Sequence, residues 1–255
     1  MKIKVLGASG SEVPGRGCPA FLVDESILLD AGTIGLALNT REENNLKHIL
    51  LTHAHLDHIK GIPFLLDNLN IRQTGKTVTV LSGEEVIEDL KSNIFNDKIW
   101  PDFTKIPSPE KPVLRYRVMR PSRPAEINGY RVFLQRVHHT VPAYGYMIEQ
   151  GNGKAIAYTG DTGPTDRFWR MISSHDVQCL IVDVSFPDRL QDLALRSGHL
   201  TPALLDEEIA KMSPRPPRIF VMHIKPQYSP EIEKEIMALP HNGLELLQEG
   251  KILEI

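Results

Sequence analysis

A chain of 255 residues has room for one large domain or two small ones, and 41% hydrophobic with 24% charged residues is the balance of an ordinary globular protein with a sizeable core. The formal net charge of -3 excludes a general attraction for nucleic acid, leaving room only for a local basic patch. No apolar run approaches the ~20 residues of a membrane span, and Cys18 and Cys179 match no metal or redox spacing, so free thiols in a reducing cytoplasm are the expectation.

The N-terminal residues 1–6 alternate polar and apolar and read as a first strand, too short and regular for the apolar region of a signal peptide. The small-residue loop from Gly7 to Gly17 could let backbone approach a phosphate, but it lacks a phosphate-loop pattern and reads as a flexible connection. Strands follow over 20–23 and 26–30. Asp30-Ala31-Gly32-Thr33 then opens a short helix over 34–38, with Asp30 either a helix-entry residue or a brace behind a ligand loop. Residues 47–52 form a strand, and Gly61 starts a helix through about Leu69, with Ile62, Leu65, Leu66 and Leu69 on one face. A β-branched strand over 77–81 precedes an amphipathic helix over 83–95, carried by Val86, Ile87, Leu90 and Ile94. The aromatic loop Ile99-Trp100-Pro101-Asp102-Phe103 could stack a base, although such residues pack into cores or lids more often.

After a Pro-rich connector, strands are predicted over 113–118 and 130–137, then a pair over 144–148 and 155–159 around the Gly151-Asn152-Gly153 turn. A helix over 166–172 leads to an apolar strand over 177–185, expected to be buried on both faces. Thr201 caps a helix from Pro202 through Met212, a strand over 218–224 carries His223 near its end, and a helix over 230–239 precedes a short strand over 252–255. Two packed sheets with helices on their outer faces, forming one domain over 1–255, would bury these runs.

One stretch organises the chain. The apolar run Ile49-Leu50-Leu51 ends in Thr52, and His53, His55, Asp57 and His58 follow within six residues. They fit a loop with His53 and His55 turned one way and Asp57 and His58 the other, facing two adjacent metal positions. Imidazole and carboxylate suit Zn2+ first, with Mn2+ or Fe2+ as alternatives. Two ions need more donors, and the candidates stand where strands end: His139 with His138 as its rival, Asp161, and His223. A carboxylate at Asp161 could bridge two ions. His48, His175 and His241 read as ordinary surface or packing residues.

On these residues the chain resembles the metallo-β-lactamase superfamily, whose HxHxDH motif is His53-Ala54-His55-Leu56-Asp57-His58, with Gly160-Asp161-Thr162-Gly163 and the terminal His223 as further matches. The resemblance implies a four-layer αβ/βα sandwich with metals at one edge of its sheets. Within the superfamily the chain is similar to class II cyclic-nucleotide phosphodiesterases, through His53 to Ile62, Leu29 to Thr33, Ile94 to Pro101, Ser185-Phe186-Pro187, Ser197-Gly198-His199-Leu200-Thr201-Pro202 and His223-Ile224-Lys225-Pro226. His139 to Tyr146 is more like the ribonucleases Z and favours His139 over His138.

The resemblance assigns His53, His55 and His139 to one metal, Asp57, His58 and His223 to the other, and Asp161 to both, with a hydroxide between the ions as nucleophile and Asp57 available to orient it. It implies hydrolysis of 3′,5′-cyclic AMP or GMP to the 5′-nucleotide, in a cytoplasmic enzyme compatible with a homodimer. His199, beside the helix start at Thr201, is expected to contact the phosphate or protonate the leaving oxygen, with Thr201 as a neighbouring substrate contact. Two other readings stand beside it. A ribonuclease Z-like RNA phosphodiesterase would need an RNA-gripping arm, which the sequence does not suggest, and a non-catalytic binding protein would be expected to have lost ligands that are all in place here.

Overall fold

The computed structural model describes residues 1–121 and 123–255. In chain order the elements are β1 (Lys2–Gly7), β2 (Ala20–Val23), β3 (Ile27–Leu29), α1 (Thr40–Asn45), β4 (His48–Leu50), α2 (Leu56–Ile59), α3 (Gly61–Ile71), β5 (Val78–Ser82), α4 (Glu84–Asn93) and β6 (Leu114–Val118). They continue with β7 (Ala125–Ile127), β8 (Tyr130–Arg136), β9 (Tyr144–Glu149), β10 (Lys154–Tyr158), α5 (Arg167–Ile172), β11 (Asp176–Asp183), α6 (Gln191–Ser197), α7 (Pro202–Ala210), β12 (Arg218–Met222), α8 (Ser229–Ala238), β13 (Leu244–Leu246) and β14 (Ile252–Glu254).

The strands form two seven-stranded sheets among the described residues, ordered β14-β1-β2-β3-β4-β5-β6 and β13-β12-β11-β10-β9-β8-β7. With the flanking helices this is the metallo-β-lactamase fold, the αβ/βα sandwich that the sequence implies. Each sheet is antiparallel on one side and parallel on the other: β3 to β6 run parallel, as do β10 to β13. Parallel strands all end on one edge, so the residues that follow β4, β10, β11 and β12 are gathered there. The central strands among them are apolar on both faces because helices cover one side and the partner sheet the other, as for Cys179 to Val182 of β11.

The hydrophobic faces predicted for α3 and α4 are the buried ones: Ile62, Leu65, Leu66 and Leu69 in α3, and Val86, Ile87 and Leu90 in α4. Residues 34–38 form hydrogen-bonded turns and not a helix, with Ala37 and Leu38 N–H both bonded to the Ile34 carbonyl. The helical signal lies one step on, where Asn39 and Glu42 form a capping box that starts α1. Leu36, read as part of a helix, is 93% exposed at the turn. Phe103 of the aromatic loop is buried and Trp100 packs partly against the core, so that loop is mainly a packing element.

Candidate metal centre

The donor-rich loop is not a loop throughout. His53 and His55 lie on extended backbone leaving β4, and α2 then begins, carrying Asp57 and His58 in a helical turn. The change of backbone at His55 divides the four side chains into two pairs. The first group comprises His53, His55, His139 and Asp161, and the second Asp57, His58, Asp161 and His223; within each, the donor atoms lie within 4.8 Å of one another. Asp161 belongs to both. Its Oδ1 lies 3.2 Å from His58 Nε2, and its Oδ2 lies 3.3 Å from His223 Nε2 and 3.6 Å from His53 Nε2. His138 is exposed, while His139 turns its Nε2 inward, 3.3 Å from His55 Nδ1.

The donor set fits divalent cations. His53 Nε2, His58 Nε2 and Asp161 Oδ1 are buried side-chain atoms with no hydrogen-bond partner, converging on one space. Three such atoms together would be costly in a folded interior unless a cation satisfied them. Imidazole and carboxylate are the donors that zinc, manganese and iron accept. The electrostatics agree. Burial alone would suppress the charged form of His223, but Asp161, Asp183 and Asp57 outweigh it and raise its pKa to about 9. Burial likewise opposes charge on His58, yet Asp161 and Asp30 lift its pKa well above the usual imidazole value. Asp161 resists protonation despite burial because His223, His58 and His53 surround it. His53, deepest in the group, is held neutral mainly by burial. The carboxylates thus make the cavity favourable to positive charge.

Four of the five grouped imidazoles, all but His55, are held by their other nitrogen. Thr52 Oγ1 lies 3.0 Å from His53 Nδ1, the Gly198 carbonyl accepts from His139 Nδ1 at 2.9 Å, and Ser185 Oγ lies 2.7 Å from His223 Nδ1. His58 Nδ1 lies 2.7 Å from Asp30 Oδ2, which also accepts from the Tyr158 hydroxyl at 2.6 Å, while Asp30 Oδ1 accepts from Thr52 N–H at 2.8 Å. Asp30 therefore braces the ligand loop from behind and starts no helix. Such partners fix the tautomer and raise the basicity of the donor nitrogen. Backbone approaches are equally close. A Cβ on Gly10 would lie 2.2 Å from the His223 carbonyl oxygen, so the N-terminal loop packs directly against His223, which itself has φ +65.

His199 stands beside the two groups. It is 7% exposed, stacks on His223 with ring centroids 5.2 Å apart, and meets His139 edge-on at 5.1 Å. Its Nδ1 lies 2.7 Å from Asp183 Oδ2, leaving Nε2 for chemistry. Asp183 also accepts from Ser185 Oγ and from Thr162 N–H, at 2.8 and 3.1 Å. Sequence reasoning missed Asp183; its signal was a carboxylate closing an otherwise apolar strand at the edge where the other donors collect. Thr201 has 0% exposure and its Oγ1 caps α7 by accepting from Leu204 N–H, so its side chain serves the start of that helix.

Among curated proteins, a probable 3′,5′-cyclic-nucleotide phosphodiesterase of Yersinia pestis is 25% identical over 80% of this chain, which spans 65% of that protein's length. A ribonuclease Z of Archaeoglobus fulgidus is 24% identical over 89% of this chain and 88% of its own. Among solved structures, unliganded yeast PDE1 superposes with a TM-score of 0.84 at 19% identity, covering 100% of this chain and 99% of the other. Residues 25–224 match the beta-lactamase superfamily domain, and the chain belongs to that family of metallo-hydrolases.

Proposed function

We propose that this chain is a phosphodiesterase that hydrolyses 3′,5′-cyclic nucleotides to 5′-nucleotides with two divalent cations, Zn2+ foremost, in a reducing cytoplasm, and that its 255 residues act as one hydrolase domain. The supporting observation is the pair of donor groups sharing Asp161, with His199 held beside them by Asp183. His53, His55 and His139 would hold one ion, Asp57, His58 and His223 the other, and Asp161 both. Two such ions supply a nucleophile at neutral pH and a clamp for phosphate oxygens.

The chain's own residues do the rest. Asp161, His53 and His58, with exposures of 1%, 0% and 0%, keep bulk water from the inner side of the cavity. Asp57 is the more accessible carboxylate, with Oδ2 3.3 Å from His223 Nε2, and can orient the attacking oxygen. His199, with Nδ1 committed to Asp183, presents Nε2 to protonate the departing 3′ oxygen as its bond to phosphorus breaks. The ribonuclease Z reading keeps the weight of the Archaeoglobus relative, which matches over nearly its whole length.

The test is turnover of 3′,5′-cyclic AMP by zinc- or manganese-loaded protein, with the product identified by chromatography. A 5′-AMP peak that disappears in His55→Ala supports the reading. Intact cyclic AMP and GMP alongside cleavage of a precursor tRNA would replace it with the ribonuclease reading.

A further inference from the structure

We propose that Glu208 of α7 is a positioning residue for Asp161, holding the segment that carries the donor common to both groups. The proposal rests on the reading that Asp161 serves two ions, and it adds a residue outside the donor set. Four carboxylates among the described residues have 1% exposure or less: Asp30, Asp161, Asp183 and Glu208. The first three belong to the metal centre or brace it. Glu208 lies in none of the donor groups, and a carboxylate so deeply buried needs partners of its own.

Its partners bind it to the Asp161 segment. Glu208 Oε2 accepts from Thr165 N–H at 2.9 Å and from Trp169 Nε1–H at 2.5 Å, while Oε1 lies 2.7 Å from Lys211 Nζ. Thr165 stands four residues after Asp161. Between them the backbone donors are taken in turn: Thr162 N–H by Asp183 Oδ2 at 3.1 Å, and Gly163 N–H by the His138 carbonyl at 2.7 Å. Pro164 has none to give. At the other end, Gly160 has φ +62, and a Cβ there would lie 2.7 Å from Thr52 Cγ2. The segment is thus pinned against Thr52 where it starts and by Glu208 where it ends, with Asp161 between.

A buried N–H that loses its acceptor costs more than the bond it made, and the relief open to Thr165 is a shift of this segment. Donors to a metal are sensitive to such shifts, because outer partners set their orientation. Packing alone would ask for less. The bond to Trp169 ties α5 to α7 without touching the segment, and a buried ion pair such as Glu208 with Lys211 is weak evidence for stability. The Thr165 bond is the contact that reaches toward Asp161. Glu208 also lies on the helix whose cap, Thr201, follows His199 by two residues, so one helix serves both the histidine and the shared donor.

The test is zinc affinity of the full chain, by competition with a chromophoric chelator, alongside hydrogen exchange over residues 160–165 in the metal-free protein. Glu208→Ala is expected to bind zinc about tenfold or more weakly and to exchange faster over that segment. Glu208→Gln keeps an oxygen for Thr165 N–H, and Lys211 can turn to Asp166, 3.0 Å away, so both readouts stay near wild type. Trp169→Phe removes the other bond to the same oxygen, and should lower the melting temperature without weakening zinc binding. Melting followed by circular dichroism verifies that each variant is folded. Where Glu208→Ala does not fold, Glu208→Asp, one methylene too short for Thr165, takes its place with the same expectation. Wild-type zinc affinity or wild-type exchange in the folded Ala or Asp variant overturns the proposal, as does an equal loss of affinity in Trp169→Phe. Cyclic AMP left intact by a zinc-binding wild type, with the same pattern across the variants, would remove the cyclic-nucleotide reading and leave this one.

Discussion

The first sheet brings four donors to the centre through a single segment, His53 to His58, whereas the second brings His139, Asp161 and His223 from three separate strand ends. Behind each contribution stands a buried carboxylate of 0% exposure, Asp30 for the first sheet and Asp183 for the second. The two act differently. Asp30 touches His58, Thr52 and Tyr158 and fixes donors in place. Asp183 reaches His223 through Ser185 and holds His199 directly, so it also fixes a group outside the pair of donor sets that share the loop. The same device, a carboxylate behind an imidazole, holds a loop donor on one side and, on the other, both His223 and the imidazole proposed to protonate the leaving oxygen.

The largest effect is expected where the two sides meet. Asp161→Ala removes the donor common to both groups, and metal content by mass spectrometry and turnover should both collapse, by more than the about 10–100-fold that loss of an outer partner costs. On the proposed role of His199, Asp183→Asn should lower kcat about 10²–10⁴-fold even at saturating metal, beyond the weaker metal affinity expected because Asp183 also lies 3.5 Å from His223 Nδ1. A variant whose kcat recovered at saturating metal would erase the distinction. Asp30→Asn should differ. Metal affinity drops about 10–100-fold and stability falls by about 3 kcal/mol, yet kcat at saturating metal stays near wild type.

The smallest effect concerns the core of the second sheet. Burial pushes the Cys179 thiol from its ordinary value of 9.0 to about 12. The folded chain therefore holds this proton more tightly than the unfolded one, so its contribution to stability is full below pH 9 and declines as pH rises toward 12. Urea midpoints should fall across that window, by no more than about 1.4 kcal/mol per pH unit for this group, and Cys179→Ala should flatten the decline. An unchanged slope in that variant would assign the decline to other groups, such as the buried Tyr158 and Tyr146, whose pKa values burial also raises.

The asymmetry between the sheets also explains what was readable in the sequence. His53, His55, Asp57 and His58 stand together, so their density alone announces a site. His139, Asp161 and His223 are single polar residues after apolar strands, and only the first cluster gives them meaning. Asp183 was missed because a lone carboxylate ending a strand is a weak signal, and its partner His199 lies sixteen residues away through α6. Most strands and the long helices α3, α4 and α8 were legible from periodicity, whereas the three-residue strands β7 and β13 were not predicted. The turn at 34–38 was misread because its apolar residues mimic a helical face while the capping signal lies at Asn39. Thr201 was placed correctly as a cap, its Oγ1 accepting from Leu204 N–H.

Tyr158 belongs to the second sheet and Asp30 to the first, so the 2.6 Å bond between them is a gauge of how far one layer has slid over the other. The Tyr146 hydroxyl repeats the measurement on the carbonyls of Leu51 and Leu81, at 2.8 and 3.0 Å. A molecule whose layers docked one pleat out of step would lose both bonds and would carry His58 away from Asp161. It would then forfeit its ions as well, and with them the stabilisation that ligands give only to the native form. Retention of metal by the purified chain is thus a readout of correct layer docking that needs no substrate.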